Sequence, residues 1–183
     1  MKGRSERFLI AAILAIFSYE WIISGLNKWF SGSFISELHM EMMDNLKNIQ
    51  VPFYRDFLAT YGLAHCTIIA VIVETAELFV GISFAILSYQ AFRGRFGNRM
   101  LKVGVVACAV AVFMNVNFLL YQSGAVFFSI DDPFDEGVSL DFIMTLVECG
   151  MSLFFWNMVN SEAKQVLLPG QLEVQKKAKL VGR

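Results

Sequence analysis

The stretch LAHCTIIAVIVETAELFVGISFAILSY, residues 63–89, decides the fold of this chain. A helix that crosses a hydrocarbon core of about 30 Å needs about 20 mostly apolar residues, and this stretch supplies them. Backbone N–H and C=O groups in lipid must find partners within their own segment, so the stretch is expected to be α-helical. Three other segments have the same character, residues 8–30, 101–122 and 139–159. The sequence therefore predicts an all-α, integral membrane four-helix bundle.

The composition of the 183 residues agrees with a membrane protein. Hydrophobic residues make up 56% and charged residues 17%, against about 45–50% and about 25% in soluble domains. A net charge of -1 offers no basic surface for nucleic acid. The three cysteines lack the spacing of a zinc site or a disulfide framework, so we interpret them as small buried apolar residues. We expect one membrane domain over residues 1–160 and a basic tail over residues 161–183.

The basic residues predict the orientation. Twelve of the 15 Lys and Arg residues lie before the first segment, between the second and third, or after the fourth, if Lys102 at the edge of the third segment is counted with the loop before it. Because basic loops stay on the cytoplasmic side, both termini are expected to be cytoplasmic, with the tail loosely ordered against the anionic inner leaflet. The predicted outer loop between the third and fourth segments agrees, since its charges are all acidic: Asp131, Asp132, Asp135 and Glu136.

The predicted outer segment after the first helix has a helical pattern. Apolar residues recur at steps of three and four, at Ile35, Leu38, Met42, Leu46 and Ile49. Ser33 is a candidate N-cap, and Pro52 is expected to end the helix. This pattern predicts a short amphipathic extracytoplasmic helix on the membrane surface or over the bundle.

The same segment contains a weak metal candidate. His39, Met42 and Met43 share one face of the predicted helix, and imidazole and thioether groups suit Cu(I). The favoured alternative is that Met42 belongs to the apolar stripe and that His39 is solvated.

Four glutamates lie within the predicted membrane helices. Glu20, Glu74 and Glu148 are placed about 14–17 Å from the outer helix ends by helical rise, and Glu77 is one turn from Glu74. Burial of charge in lipid costs about 2.5–3.5 kcal/mol per group on insertion scales, so these side chains are expected to face the bundle interior in one layer.

The partners of these acids are predicted to be polar and uncharged. Asn115 and Asn117 of the third helix lie at a similar depth, whereas Lys28 and His65 lie near the outer helix ends. With no basic residue predicted at that depth, the acids are expected to be partly protonated and hydrogen-bonded to the amides.

Two interpretations of the polar residues stay open. In the first they are hydrogen-bonding groups that hold helices together. In the second the four glutamates are catalytic acids of a quinone or small-substrate site, with Lys28, Asn115, Asn117 and His65 binding the substrate. Transport is less favoured because no repeat or pair of broken helices is found.

Three helical glycines suggest where helices approach. Gly25, Gly81 and Gly104 lie within predicted helices, where glycine costs about 1 kcal/mol relative to alanine. At least two of them are expected to lie at close helix–helix contacts.

Two motifs resemble a known family. SGLNKW, residues 24–29, has the Gly-x-x-Lys typical of the first-helix end in the DoxX/DoxD-like membrane family. ETAELFVG, residues 74–81, is similar to the acidic-then-glycine second helix of that family. The resemblance covers roughly residues 8–159. An arginine often found early in the family's first helix has no counterpart here, since the middle of this helix offers Glu20.

The resemblance implies a four-helix bundle in a bacterial or archaeal cytoplasmic membrane and a link to respiratory chemistry. Some members are subunits of thiosulfate:quinone oxidoreductase. We therefore expect a membrane subunit of, or accessory to, a quinone-linked oxidoreductase, with the lipid bilayer and other membrane or redox subunits as partners and quinone as the candidate cofactor. The alternative is a non-catalytic scaffold or assembly factor, and whether the chain is itself an enzyme stays open.

Overall fold

A computed structural model describes the backbone of residues 4–121 and 139–181 and the side chains of residues 4–121 and 139–161. The described residues form six α-helices and a π-helical turn, Leu58–Gly62, that follows the third helix. The helices are α1 (Arg4–Ser31), α2 (Phe34–Asn45), α3 (Pro52–Phe57), α4 (Cys66–Arg93), α5 (Asn98–Tyr121) and α6 (Leu140–Val181).

Four of these helices are long and apolar enough to cross a membrane, which confirms the four predicted segments. They are α1, α4, α5 and the Leu140–Ser161 part of α6. Four helices of this length and composition indicate a multi-pass membrane protein. The acidic loop of residues 131–136, which supports the predicted orientation, lies outside the described residues.

The fourth helix is longer than the sequence predicts. It was expected to end at residue 159 and to be followed by a loosely ordered tail, but α6 continues to Val181. Residues with high helix propensity follow the membrane segment directly, among them Glu162, Ala163, Lys164 and Gln165. The helical backbone therefore extends beyond the apolar segment.

The spanning helices pack in two closely associated pairs. The α1 helix lies along α4, α5 lies against α6, and α4 joins the pairs through contacts with α5. Trp21 of α1 also reaches Glu148 of α6 through a hydrogen bond. The core between the pairs is apolar and includes the fully buried side chains of Leu14, Val80, Phe84, Leu87, Leu101 and Phe155.

All three predicted glycine contacts are confirmed. A Cβ at Gly81 would lie 2.8 Å from the backbone nitrogen of Ile22, and one at Gly25 would lie 3.0 Å from the Leu78 side chain. A Cβ at Gly104 would lie 3.0 Å from the side chains of Leu87 and Phe155. The two glycines between α1 and α4 thus allow these helices to approach closely.

The outward surfaces of the spanning helices are apolar. Ile16, Phe113 and Leu153 are 68%, 69% and 64% exposed. Exposed apolar surface on this scale is expected where lipid, not water, surrounds a protein.

The segment between α1 and α4 packs into a second apolar cluster at one end of the bundle. Its buried members are Met42, Ile49, Tyr54, Leu58 and Cys66. The predicted helical stripe divides here, because α2 ends at Asn45 and Pro52 begins α3. Ser33 is at the N-cap of α2 but makes no capping bond, and its hydroxyl donates to Glu37 Oε1 at 2.7 Å instead.

Candidate functional site

Three carboxyl groups from three helices lie inside the bundle within electrostatic range of one another through Glu20, and we call them the acid layer: Glu20 of α1, Glu77 of α4 and Glu148 of α6. Glu77 and Glu148 are each 1% exposed, which confirms their predicted burial. Glu20 is half-buried and interacts electrostatically with both of the other acids. The layer therefore joins the two helix pairs.

Glu77 has a basic partner, contrary to the prediction that no basic residue pairs with these acids. Lys28 Nζ donates to Glu77 Oε1 at 2.7 Å and to Oε2 at 2.9 Å. It also donates to Ser24 Oγ at 2.7 Å. Lys28 is near the end of α1, but its long apolar stem lets the ammonium group reach inward instead of outward.

The close approach of α1 and α4 makes this ion pair possible. Gly25 lies between Ser24 and Lys28 on the face of α1 that meets α4, and a Cβ there would lie 3.2 Å from Glu77 Cβ. An alanine there would press on the side chains of Leu78 and Glu77, which would have to shift by a few tenths of an ångström. A buried ion pair stabilises a protein only when its geometry is good and its remaining donors are satisfied, as they are here by Ser24.

Glu148 is held by two neutral donors. Trp21 Nε1 donates to Glu148 Oε1 at 2.9 Å, and Asn115 Nδ2 donates to Oε2 at 2.8 Å. These bonds connect α1, α5 and α6 around one carboxyl group. The predicted contact between the acids and an asparagine of the third spanning helix is thus confirmed for Asn115.

Glu20 differs from the other two acids. Its Oε2 atom is buried and has no hydrogen-bond partner among the described residues. Its carboxyl group is repelled by Glu77 and Asp141 and attracted by Lys28. A buried carboxyl oxygen without a donor costs free energy that solvent or a ligand would recover.

Three residues of this site were missed by the sequence analysis: Trp21, Ser24 and Asp141. Ser24 and Asp141 had a signal in the spacing along their helices. Ser24 lies four residues before Lys28, and Asp141 lies seven before Glu148, which places each pair on one helical face. Trp21 follows Glu20 directly, but neighbours in sequence point to different faces, and only the hydrogen bond to Glu148 in the folded chain shows its partner.

Glu74 lies beside the acid layer. It is half-buried, interacts electrostatically with Glu77, and lines a small cleft of about 200 Å³ together with Lys28. The other lining residues are Trp29, Gly32, Phe34 and Ile35. The cleft therefore connects the surface near the end of α1 with the Lys28–Glu77 pair.

Asn117 and His65 lie apart from the acid layer. The Tyr54 hydroxyl donates to the backbone oxygen of Asn117 at 3.3 Å, and burial raises the pKa of this phenol. The Asn117 amide donates to Phe113 O at 2.7 Å. His65 is exposed just before α4, twelve residues or about 18 Å by helical rise from Glu77. Substrate binding by either residue stays a prediction.

The three residues of the copper candidate differ in burial. Met42 is 5% exposed in the second apolar cluster, whereas His39 and Met43 are exposed. Among the described side chains, those of residues 4–121 and 139–161, no three His, Cys, Asp or Glu residues converge as ligands for a metal ion. Copper binding by the His/Met group is not tested by this geometry.

Comparison of the chain with protein-family models, curated proteins and solved structures finds no match.

Proposed function

We propose that this protein is a membrane subunit of, or accessory to, a quinone-linked oxidoreductase complex, and that its acid layer exchanges protons with quinone. The observation that supports this most is Glu20, whose buried Oε2 has no donor among the described residues. A carboxyl group in that state can accept a proton without losing an existing hydrogen bond. Glu77 and Glu148 lie close enough to influence its charge.

Quinone chemistry needs groups of this kind. Reduction of a quinone to a quinol takes two electrons and two protons, one proton for each carbonyl oxygen. A redox centre in a partner subunit supplies the electrons, and positioned acids supply the protons. In this proposal Glu20 is the acid that exchanges the proton, and Glu77 and Glu148 set the electrostatic potential at its carboxyl group.

The cleft beside Lys28 gives the acid layer a route to the surface. Glu74 and Lys28 both line this cleft, and Lys28 Nζ contacts both oxygens of Glu77. In this proposal a proton enters at Glu74 and passes by way of Glu77 to Glu20, with which Glu77 interacts electrostatically. The distance from Glu74 to Glu77 is one helical turn.

The membrane setting is part of the proposal. We place the chain in a bacterial or archaeal cytoplasmic membrane with both termini in the cytoplasm, because 12 of its 15 basic residues would then be on the inner side. The α2 helix would lie at the outer surface, over the end of the bundle. The resemblance to DoxX/DoxD-like proteins supports the same setting and a partner with a redox centre.

A scaffold function is the second candidate, and one observation favours it. Both oxygens of Glu77 and both of Glu148 are already hydrogen-bonded. Acids that are satisfied in this way can serve to hold four helices together without chemistry. The two candidates differ in what they require of Glu20, which makes no such bond through Oε2.

The test compares Glu20→Gln with the wild type in native membranes. Reduction of decylubiquinone by the intact complex is measured and normalised to the amount of this chain in the membrane. The proposal predicts at least a tenfold loss of activity at unchanged abundance, because an amide cannot exchange the proton. Glu6→Gln, an exposed acid in the first turn of the same helix, is the matched control and should leave activity unchanged.

A scaffold predicts a different pattern. Glu20→Gln would then leave both activity and abundance intact, while Glu148→Gln would lower abundance by weakening the contacts among α1, α5 and α6. Normal quinone reduction in the Glu20→Gln membranes would reject the proton-exchange proposal.

A further inference from the structure

An apolar groove runs along the surface between α1 and α4, at the end of the bundle opposite Lys28. It has a volume of about 500 Å³. Alanines form much of its lining, and aromatic residues form one end: Phe8, Ala12, Ala15, Ala85, Tyr89 and Phe92. Seven residues separate Phe8 from Ala15, so the groove is about 10 Å long by helical rise.

The floor of the groove is closed by a polar contact between the helices. Ser88 Oγ donates to the backbone oxygen of Ala11 at 2.7 Å, and Ala11 is 7% exposed. Because the hydroxyl is satisfied there, the groove presents an apolar surface to its contents. The rings of Phe8 and Phe92 meet edge to face, with centroids 5.4 Å apart, and close one end.

Two arginines stand at that aromatic end. Arg4 Cζ lies 5.5 Å from the centroid of the Phe8 ring, and Arg93 Cζ lies 5.5 Å from the centroid of the Tyr89 ring. Both rings line the groove. A guanidinium group over a ring keeps its in-plane N–H groups free to donate to phosphate oxygens.

These arginines lack acidic partners in the part of the chain that the structure describes, where the ion pairs found are Lys28–Glu77 and Arg55–Asp56. A third arginine at the same end, Arg7, lies over Gly94, which ends α4 in a left-handed conformation. The carbonyl end of a helix favours a cation, so Arg7 has a structural explanation. Arg93 lies in the last turn of α4 and is favoured by the same helix end, whereas Arg4 begins α1 and is not. Neither Arg4 nor Arg93 has an anionic partner among the described residues.

From this juxtaposition we propose that the groove binds an anionic phospholipid. The phosphate group lies between the guanidinium groups of Arg4 and Arg93, and one acyl chain fills the alanine-lined groove. The charge of the two arginines selects an anionic headgroup, and the apolar groove requires an attached chain. Basic pockets between membrane helices are known to suit anionic lipid headgroups. A quinone would fill the groove but would leave both cations unpaired.

The experiment measures lipid binding by the purified full-length protein with native mass spectrometry in a mild detergent. The probes are dioleoylphosphatidylglycerol and dioleoylphosphatidylcholine, which share their acyl chains and differ in net charge. We expect at least tenfold tighter binding of the phosphatidylglycerol. The double variant Arg4→Gln/Arg93→Gln should lose this preference.

Two further variants test separately the contributions of the arginine charge and of the apolar groove to lipid binding. Arg95→Gln/Arg99→Gln removes the same charge from exposed positions that do not line the groove, and it should keep the preference. Ala12→Trp fills the groove without changing charge and should weaken binding of both lipids at least fivefold. Ala12 is exposed within the groove, so this variant is expected to fold.

Three results would overturn the proposal. One is equal binding of the two lipids by the wild type. Another is an equal loss of preference in the Arg95→Gln/Arg99→Gln control, which would mean a diffuse basic surface. The last is displacement of the lipid by glycerophosphoglycerol at the same concentration as the intact lipid, which would mean a phosphate site without a chain site.

Discussion

Lys28 is joined to Glu77 by a side chain that runs from the end of α1 into the bundle. Its side chain is 23% exposed, whereas that of Glu77 is 1% exposed. The two partners therefore differ in what each loses when the other is removed. Lysine can turn its ammonium group toward the surface, but the carboxyl group of Glu77 cannot leave the interior.

This asymmetry predicts the outcome of a double-mutant cycle. Lys28→Met should lower the free energy of unfolding by about 3–5 kcal/mol, because it leaves a buried acid without its cation. Glu77→Gln should cost less, and the double variant should recover most of the loss from Lys28→Met. Unfolding in mixed detergent micelles measures all four proteins, with the exposed Lys47→Met as a control. A larger loss in Glu77→Gln than in Lys28→Met would contradict this explanation.

A second prediction concerns the hydrogen bond from Trp21 to Glu148. Trp21→Phe keeps an aromatic ring but removes the N–H that donates to Glu148. Leaving one oxygen of a buried carboxyl group without its donor should cost about 1–3 kcal/mol of unfolding free energy. Trp156→Phe is the matched control, since Trp156 is 55% exposed on α6. Equal stability of the two variants in thermal unfolding would show that the indole bond contributes nothing.

The contact between α1 and α4 shows how two helices depend on small residues. Ser18 Oγ donates to the backbone oxygen of Gly81 at 2.9 Å, which requires the backbones to approach closely. In lipid, apolar side chains gain little by moving from the membrane to a helix contact, so packing and interhelical hydrogen bonds supply the association. The two glycines between α1 and α4 therefore contribute to helix association by allowing this close approach.

Substitution of these glycines tests the contact directly. Gly81→Ala places a Cβ against the backbone of Ile22, which cannot move without shifting α1, and should lower the unfolding free energy by about 1–3 kcal/mol. Gly150→Ala is the control on α6, where a Cβ would meet nothing within 4 Å. It should be neutral or stabilise the helix by up to about 1 kcal/mol. Equal effects in thermal unfolding would show that helix propensity, not the α1–α4 contact, determines the cost.

The whole molecule has two ends that differ in charge. Arg4, Arg7 and Arg93 lie at the aromatic end of the apolar groove between α1 and α4, and the cleft with Glu74 and Lys28 lies toward the other end of the bundle. Positive charge near a membrane segment favours the cytoplasmic side. The orientation proposed here thus puts the lipid groove in the inner leaflet, where anionic headgroups would meet the arginines.

Cysteine labelling tests that orientation in intact cells. In a background without Cys66, Cys108 and Cys149, an impermeant maleimide added outside should label cysteines placed at Asp44 and Asp132. It should not label cysteines placed at Gly97 or Gln175 until the cells are permeabilised. Labelling of the Gly97 site from outside would reverse the topology, and the lipid groove would then face the outer leaflet.

The sequence by itself determined the four spanning helices, because the length of an apolar segment is a local property. It decides whether that segment can cross the membrane as a helix, independently of the other segments. It also placed Glu77 and Glu148 inside the bundle and the three glycines at helix contacts, since a charge or a glycine is costly elsewhere. These inferences need only one helix at a time. The end of α6 was predicted too early, because the change to polar residues after the apolar segment and the Pro169–Gly170 pair both indicate a helix end, whereas α6 continues to Val181.

The tertiary structure alone decided which polar groups are partners. The sequence predicted no basic partner for the acids, because helical rise gives the depth of the Lys28 backbone but not the direction of its side chain, which turns inward to Glu77. Trp21 finds Glu148, 127 residues later in the chain, only because α1 and α6 meet. Asn117 and Asn115 are two residues apart and so point to different neighbours, one to Tyr54 and one to Glu148. Partners of this kind depend on the rotation of each helix about its axis, and the packing of all four helices sets that rotation.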